Sequence, residues 1–319
     1  MSSTMMAADP SERFAKVHVP LWAWGALLVL LVLLLAVDLV RHRDAKSPTP
    51  RDALIESAAW VACALTFAGV VWVTLGSQAF GEYLSGYLIE KSLSVDNVFV
   101  WALLFTTMAI PLKYQHRVLF WGIFGALAMR GVFIIAGAEL IASFWWVLPI
   151  FGLFLVYTGV KVFRHRLDAA AEAKTPGLGV LQRILPVTDT IEDQRFFSRL
   201  NGRRAATPLF AALVVIEISD VIFAVDSVPA ILAVSRDPFV VFSSNAFAIL
   251  GLRAMYFLLA TAREKLHYLS HGLGAILVFV GLKMTVSHWF HIDTYLSLLV
   301  IMVLLGLAIA ASVRKNRQP

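Results

Sequence analysis

Apolar residues in this chain do not alternate with polar ones. They run on in blocks of about 20, the length an α-helix needs to cross a hydrocarbon core of roughly 30 Å. Short polar, charge-bearing stretches separate the blocks. The pattern predicts nine transmembrane helices, near 21 to 40, 54 to 75, 83 to 108, 116 to 142, 144 to 163, 207 to 231, 240 to 260, 270 to 287 and 294 to 312. The first block is too long for a signal-peptide core and lacks a small-residue cleavage site before Arg41, so it reads as a retained helix. The fold class is therefore an all-α polytopic membrane protein.

Composition agrees. Of 319 residues, 59% are hydrophobic and 15% charged, whereas soluble domains carry about 25% charged residues. The formal net charge of +6 would suggest nucleic acid in a soluble protein, but the basic residues sit in alternate loops. Nineteen of the 27 Lys and Arg lie in the segments 41–53, 109–117, 164–206, 261–269 and the C-terminal tail, against three in the other set. By the positive-inside rule the N-terminus faces out and the C-terminus the cytoplasm. The long basic segment 164–206 is then a cytoplasmic loop. Cys63 is the chain's one cysteine, so no internal disulfide is possible, and it reads as packing.

An internal repeat carries the charges. Glu90 to Val98, with Val95-Asp96-Asn97-Val98, lines up with Asp220 to Val228, with Val225-Asp226-Ser227-Val228. One span later Arg130-Gly-Val-Phe133 faces Arg253-Ala-Met-Tyr256. After that Gly152 to Lys161 matches Gly274 to Lys283 at five of ten positions. Three spans per copy force the second copy to cross the membrane in the opposite sense, the inverted-topology repeat of secondary transporters. The organisation expected is a tail over 1–20, two peripheral helices over 21–75, a first three-helix repeat over 83–163, the loop 164–206, a second repeat over 207–287, and a last helix with its tail over 294–319.

Charges inside spans mark function. Glu90, Lys91, Asp96, Arg130, Glu139, Lys161, Glu217, Asp220, Asp226, Arg253 and Lys283 all fall there. Facing lipid at mid-membrane they would together cost about 30 kcal/mol, so they face one another, water or a ligand. Residues six apart on a helix differ by about 240°. Glu90 and Asp96 therefore require either a distorted helix or two sites. Inversion then brings Glu90 level with Asp226 and Asp96 level with Asp220. Pro229, one turn past Asp226, is expected to break its helix and free carbonyls.

The candidate ligand set is Glu90, Asp96, Asn97, Asp220, Asp226 and Ser227, with Ser92, Ser94 and Ser219 near it. These are hard oxygen donors suited to Mg²⁺, Ca²⁺ or Mn²⁺ rather than copper or zinc. Four close carboxylates cannot all stay ionised without a cation. Lys91, Arg130, Lys161, Glu217, Arg253 and Lys283 are assigned to charge compensation or coupling. The pairs His267/His271 and His288/His291 lie at span ends and read as interfacial. No nucleophile with a base, phosphate-binding glycine loop or closed metal motif suggests an enzyme or a resident cofactor.

Three segments, Glu90 to Val100, Glu217 to Ile231 and Ser244 to Phe257, together with Thr188-Asp-Thr-Ile191, resemble the signatures of the TerC family over nearly the whole chain, closest to its Alx branch. The resemblance implies a bacterial inner-membrane protein related to the lysine-exporter superfamily. For the Alx branch it implies manganese export, sometimes tied to alkaline pH, with Mn²⁺ as transported ion. The family's name also points to tellurite resistance. Two other readings stand beside cation export: efflux of an oxyanion or amino acid on the intramembrane bases, and a membrane scaffold or insertion factor acting through 164–206. The partners expected are a divalent ion and the lipid bilayer, with no nucleic acid; sequence leaves the oligomeric state open.

Overall fold

The computed structural model describes residues 19–41, 49–144, 146–164, 195–200, 203–262, 268–286 and 292–316. Its helices are α1 Leu21–Arg41, α2 Pro50–Thr107, α3 Leu112–Ser143, α4 Val147–Arg164, α5 Pro208–Leu232, α6 Pro238–Leu250, α7 Leu252–Ala262, α8 Leu269–Val286 and α9 Thr294–Asn316. Six of the described helical stretches are long and apolar enough to cross a membrane, and two shorter apolar ones lie in α4 and α8. The chain is thus an all-α polytopic membrane protein.

The spans expected at 54 to 75 and 83 to 108 are not separated by a loop. They are limbs of one 58-residue helix, α2, whose only non-helical residue is Gly76, at φ 90° and ψ 175°. A straight helix of that length would run about 87 Å, far beyond the hydrocarbon core. The chain therefore turns at one residue, and glycine alone adopts that positive φ without a Cβ clash. Thr49 opens the helix with a reciprocal capping box to Asp52. The span expected at 240 to 260 is likewise interrupted, between α6 and α7, at Gly251.

The two copies of the repeat pack antiparallel on each other. Their centre is the pair α4 and α8, whose backbones touch. A Cβ built on Gly152 would lie 2.7 Å from the Gly281 carbonyl oxygen, and one on Gly281 would lie 2.6 Å from the Gly152 carbonyl oxygen. Seven residues along, a Cβ built on Gly159 would lie 2.7 Å from the Gly274 carbonyl oxygen. Gly152 and Gly274 are equivalent in the repeat, as are Gly159 and Gly281, so each glycine contacts the mate of its own counterpart. This is the signature of a local two-fold axis. The remaining contacts obey it: α2 packs on α6 and α7, and α3 packs on α5, which exchanges first and second helices between copies.

Outside this pair, α1 buries Leu27, Leu31, Leu35 and Asp38 along one stripe at helical spacing. Part of the segment read as a loop is a β-hairpin: β1 Phe197–Leu200 pairs antiparallel with β2 Arg203–Ala206. Phe197 stacks 4.6 Å from Phe210 at the start of α5, which seats the hairpin on the bundle.

Candidate functional site

The central cluster is built on four helices. Glu90 on α2 and Arg130 on α3 form a salt bridge and are 1% and 4% exposed. The same arginine nitrogen donates to Ser227 Oγ on α5 at 2.8 Å and to Asn245 Oδ1 on α6 at 3.1 Å. Ser94 Oγ, one turn along α2, donates to Glu90 Oε1 at 3.0 Å. Glu90 is therefore fully partnered, and the Arg130 bridge sets it level with Ser227, the neighbour of Asp226 in sequence. Between Gly76 and its end, α2 has no distortion. The backbone from Glu90 to Asp96 is thus regular helix. The side chains of Asp96 and Asp226 lie outside the described residues; their backbones are helical.

Asp220 is the counterpart of Glu90, and its surroundings differ. It is 4% exposed, and among the described residues its Oδ2 has no hydrogen-bond partner. The charges within electrostatic reach are Arg130, Glu217 and Glu90. By the repeat, Arg253 would serve Asp220 as Arg130 serves Glu90. It does not. Its Nη2 donates to Asp38 on α1 and, at 2.7 Å, to Glu56 Oε1 on the first limb of α2. Among the described residues Asp220 thus receives no bond from Arg253, and two acids from the helices outside the repeats hold the arginine. Asn97, the counterpart of Ser227, is buried. Ser219 turns its hydroxyl back to the Val215 carbonyl, and Ser92 to that of Leu88.

The other compensating residues divide. Lys91 Nζ donates to the Ala248 carbonyl at 3.3 Å, one of the last carbonyls of α6, which has no helical donor because the helix ends there. Glu217 is half-buried with its carboxylate against Gly125 of α3, where a Cβ would lie 2.0 Å from Oε1. Lys283 is buried and donates to Ser297 Oγ on α9 at 2.8 Å. Glu139 and Lys161 are exposed. Both lie within about one turn of a helix end, where a long side chain reaches the interfacial region. Pro229 does not break α5, which continues to Leu232. The proline still removes the N–H that would serve the Val225 carbonyl. His267, His288 and His291 lie outside the described residues, while His271 packs on Tyr268 with ring centroids 5.9 Å apart.

Three buried acids escaped the sequence reading: Asp38, Glu56 and Glu82. Asp38 and Glu56 lie near the ends of their predicted spans, and Glu82 falls one residue before one. The signal for Asp38 was its place on the buried stripe of α1. Among the described residues no group of three or more His, Cys, Asp and Glu is placed to hold a metal ion.

Residues 75–319 match the model of the integral membrane protein TerC family. An uncharacterised membrane protein of Myxococcus xanthus is 47% identical over 307 residues, covering 96% of both chains. The protein Alx of Salmonella typhi, provisionally described as a membrane-bound redox modulator, is 44% identical over 92% of this chain and 95% of its own. Alx of Escherichia coli K12 is 46% identical over 86% of this chain and 89% of its own. No solved structure matches.

Proposed function

Because the chain belongs to the TerC family of integral membrane proteins, we propose that it exports divalent metal cations, Mn²⁺ foremost, across a bacterial inner membrane through the acidic interface of two inverted repeats. The N-terminus faces out and the C-terminus the cytoplasm. The ion loads from the cytoplasm at Asp96, Asn97 and Asp220 and leaves past Glu90, Asp226 and Ser227. The repeats run over 83–163 and 207–287.

One observation carries this reading. Asp220 is buried at the repeat interface with an unpartnered carboxylate oxygen, while the arginine that symmetry would give it is engaged by Asp38 and Glu56. A buried carboxylate left without a donor is costly unless a cation or proton completes it. Carboxylate, amide and hydroxyl oxygens are the donor set of Mn²⁺, Ca²⁺ and Mg²⁺, and the preference for manganese follows the family resemblance. The oxyanion reading gains no such support, since Arg130 and Arg253 are both held by carboxylates.

The test is cellular manganese after a manganese load, in cells with wild type, with Asp220→Asn, and with the Asp96→Asn, Asp226→Asn double variant at equal membrane abundance. Wild type is expected to lower the content and both variants to leave it at the level of cells lacking the protein. Unchanged content with wild type would sink manganese export, and activity retained in Asp220→Asn would remove that residue from the path.

A further inference from the structure

A second polar locus lies on the same two chain segments as the central cluster, farther along α2 toward the side that the charge rule makes extracytoplasmic. Eight residues before Glu90, Glu82 is 0% exposed, about 12 Å along the helix axis. Eight residues after Ser227, Ser235 donates its hydroxyl to Glu82 Oε2 at 2.7 Å. The register that sets Glu90 level with Ser227 thus repeats one level outward as Glu82 against Ser235.

The surroundings are again oxygen-rich. Gln78 Nε2 donates to Glu82 Oε1 at 3.2 Å and to Thr294 Oγ1 at 3.1 Å. Thr294 and Ser297, in the first turn of α9, are buried. Lys283 is hydrogen-bonded to Ser297, with Glu82 and Asp293 as the carboxylates that act on it. Ser235 belongs to the non-helical stretch 233–237 that joins α5 to α6, and Arg236 follows it in sequence. A fully buried acid beside a lysine, closed off by a short irregular segment, is an arrangement that hydrophobic packing alone does not require.

We infer that Glu82 is a further carboxylate on the ion's route, at its extracytoplasmic end, and that the segment 233–237 is the cover that closes over it through the Ser235 hydroxyl. This rests on the cation-export reading for its cargo but not for its geometry. Lys283 supplies positive charge near Glu82 while the cover is shut. When an ion steps from Glu90 to Glu82, its charge takes over that role, the Ser235 bond yields, and the ion leaves. No bond other than hydrogen bonds and metal–oxygen contacts forms or breaks.

The experiment uses a buried reporter in the cover. Val234 is 0% exposed, and its side chain makes none of the bonds described. Val234→Cys, in a Cys63→Ser background, gives the protein a single thiol there. Intact cells are treated with a membrane-impermeant maleimide. The thiol is expected to react slowly with Glu82 and Ser235 in place, and about tenfold faster with Ser235→Ala or Glu82→Gln, the scale of losing one hydrogen bond to a carboxylate that holds a local closure. Glu82→Asp is expected to restore slow labelling, which a misfolded variant would not do. Equal labelling rates in all backgrounds, or labelling only from the cytoplasmic face of inverted vesicles, overturns the cover. Manganese content is read in parallel: Glu82→Gln is expected to reduce export several-fold. Full export by Glu82→Gln beside an active wild type removes Glu82 from the route. If wild type exports no manganese, the function reading fails while the labelling still decides the cover.

Discussion

The two repeats differ where their sequences agree most. In the first, Glu90 receives Arg130 and Ser94, and the arginine reaches on to Ser227 and Asn245. In the second, the equivalent Asp220 keeps an unpartnered oxygen, and the equivalent Arg253 serves Asp38 and Glu56. Packing has kept the two-fold symmetry and charge has not. A symmetric pair of saturated acid–arginine bridges would leave neither Glu90 nor Asp220 with an open oxygen. Giving the second arginine to α1 and the first limb of α2 leaves one acid satisfied and one open, so the helices outside the repeats shape the site without entering it.

That contrast can be broken most forcefully at the bridge. Arg130→Met strands Glu90 as an unpaired buried charge and is expected to destabilise the protein by about 3–5 kcal/mol, whereas adding Glu90→Gln recovers most of the loss. Thermal melting of the purified protein in detergent checks both; a double variant no better than the single would show that the bridge is not a closed unit. Asp220→Asn sharpens the contrast from the other side. Although it is expected to abolish export, it removes no hydrogen bond from Oδ2, so its melting should stay within about 1 kcal/mol of wild type. A loss as large as that of Arg130→Met would place Asp220 in the same structural class as Glu90. The smallest effect tests the symmetric part. Gly159→Ala and Gly281→Ala, equivalent in the repeat, each push a methyl group into a carbonyl at 2.7 and 2.6 Å, and each should cost about 1–3 kcal/mol, equal within error. A large inequality would mean that the packing too has diverged.

Much of this was legible in the sequence because the bilayer imposes a length on apolar runs. The repeat was visible because its glycines and charges recur in one order, and the glycines proved to be the contact itself. What the pattern missed was set by distance along the chain or by a single torsion. The joint at Gly76 spans one residue, so a block-by-block reading inserted a loop where α2 runs on. The hairpin carried a signal, Asn201-Gly202 between two four-residue runs, a dipeptide suited to two-residue hairpin turns, which the basic composition of the segment obscured. The partners of Arg253 lie 215 and 197 residues away in helices outside the repeat, where no local periodicity could point. Glu82 was lost at a span boundary, the least certain feature of any such reading.

The seam between α4 and α8 has a mechanical consequence. Most helix pairs interlock through side chains standing as ridges in each other's grooves, and shifting one against the other forces those chains to change rotamer. Gly152, Gly159 and Gly281 carry no such teeth themselves, and the facing backbone comes close to each, flanked by the side chains of Thr285, Val278 and Val156. A small roll of one repeat over the other about this line would carry the side chains of Thr285, Val278 and Val156 across bare glycine backbone, with no side chain of the glycines themselves to unlock. The seam is therefore the place where the two repeats come closest with the fewest side chains of their own between them, on the axis that relates Asp220 to Glu90.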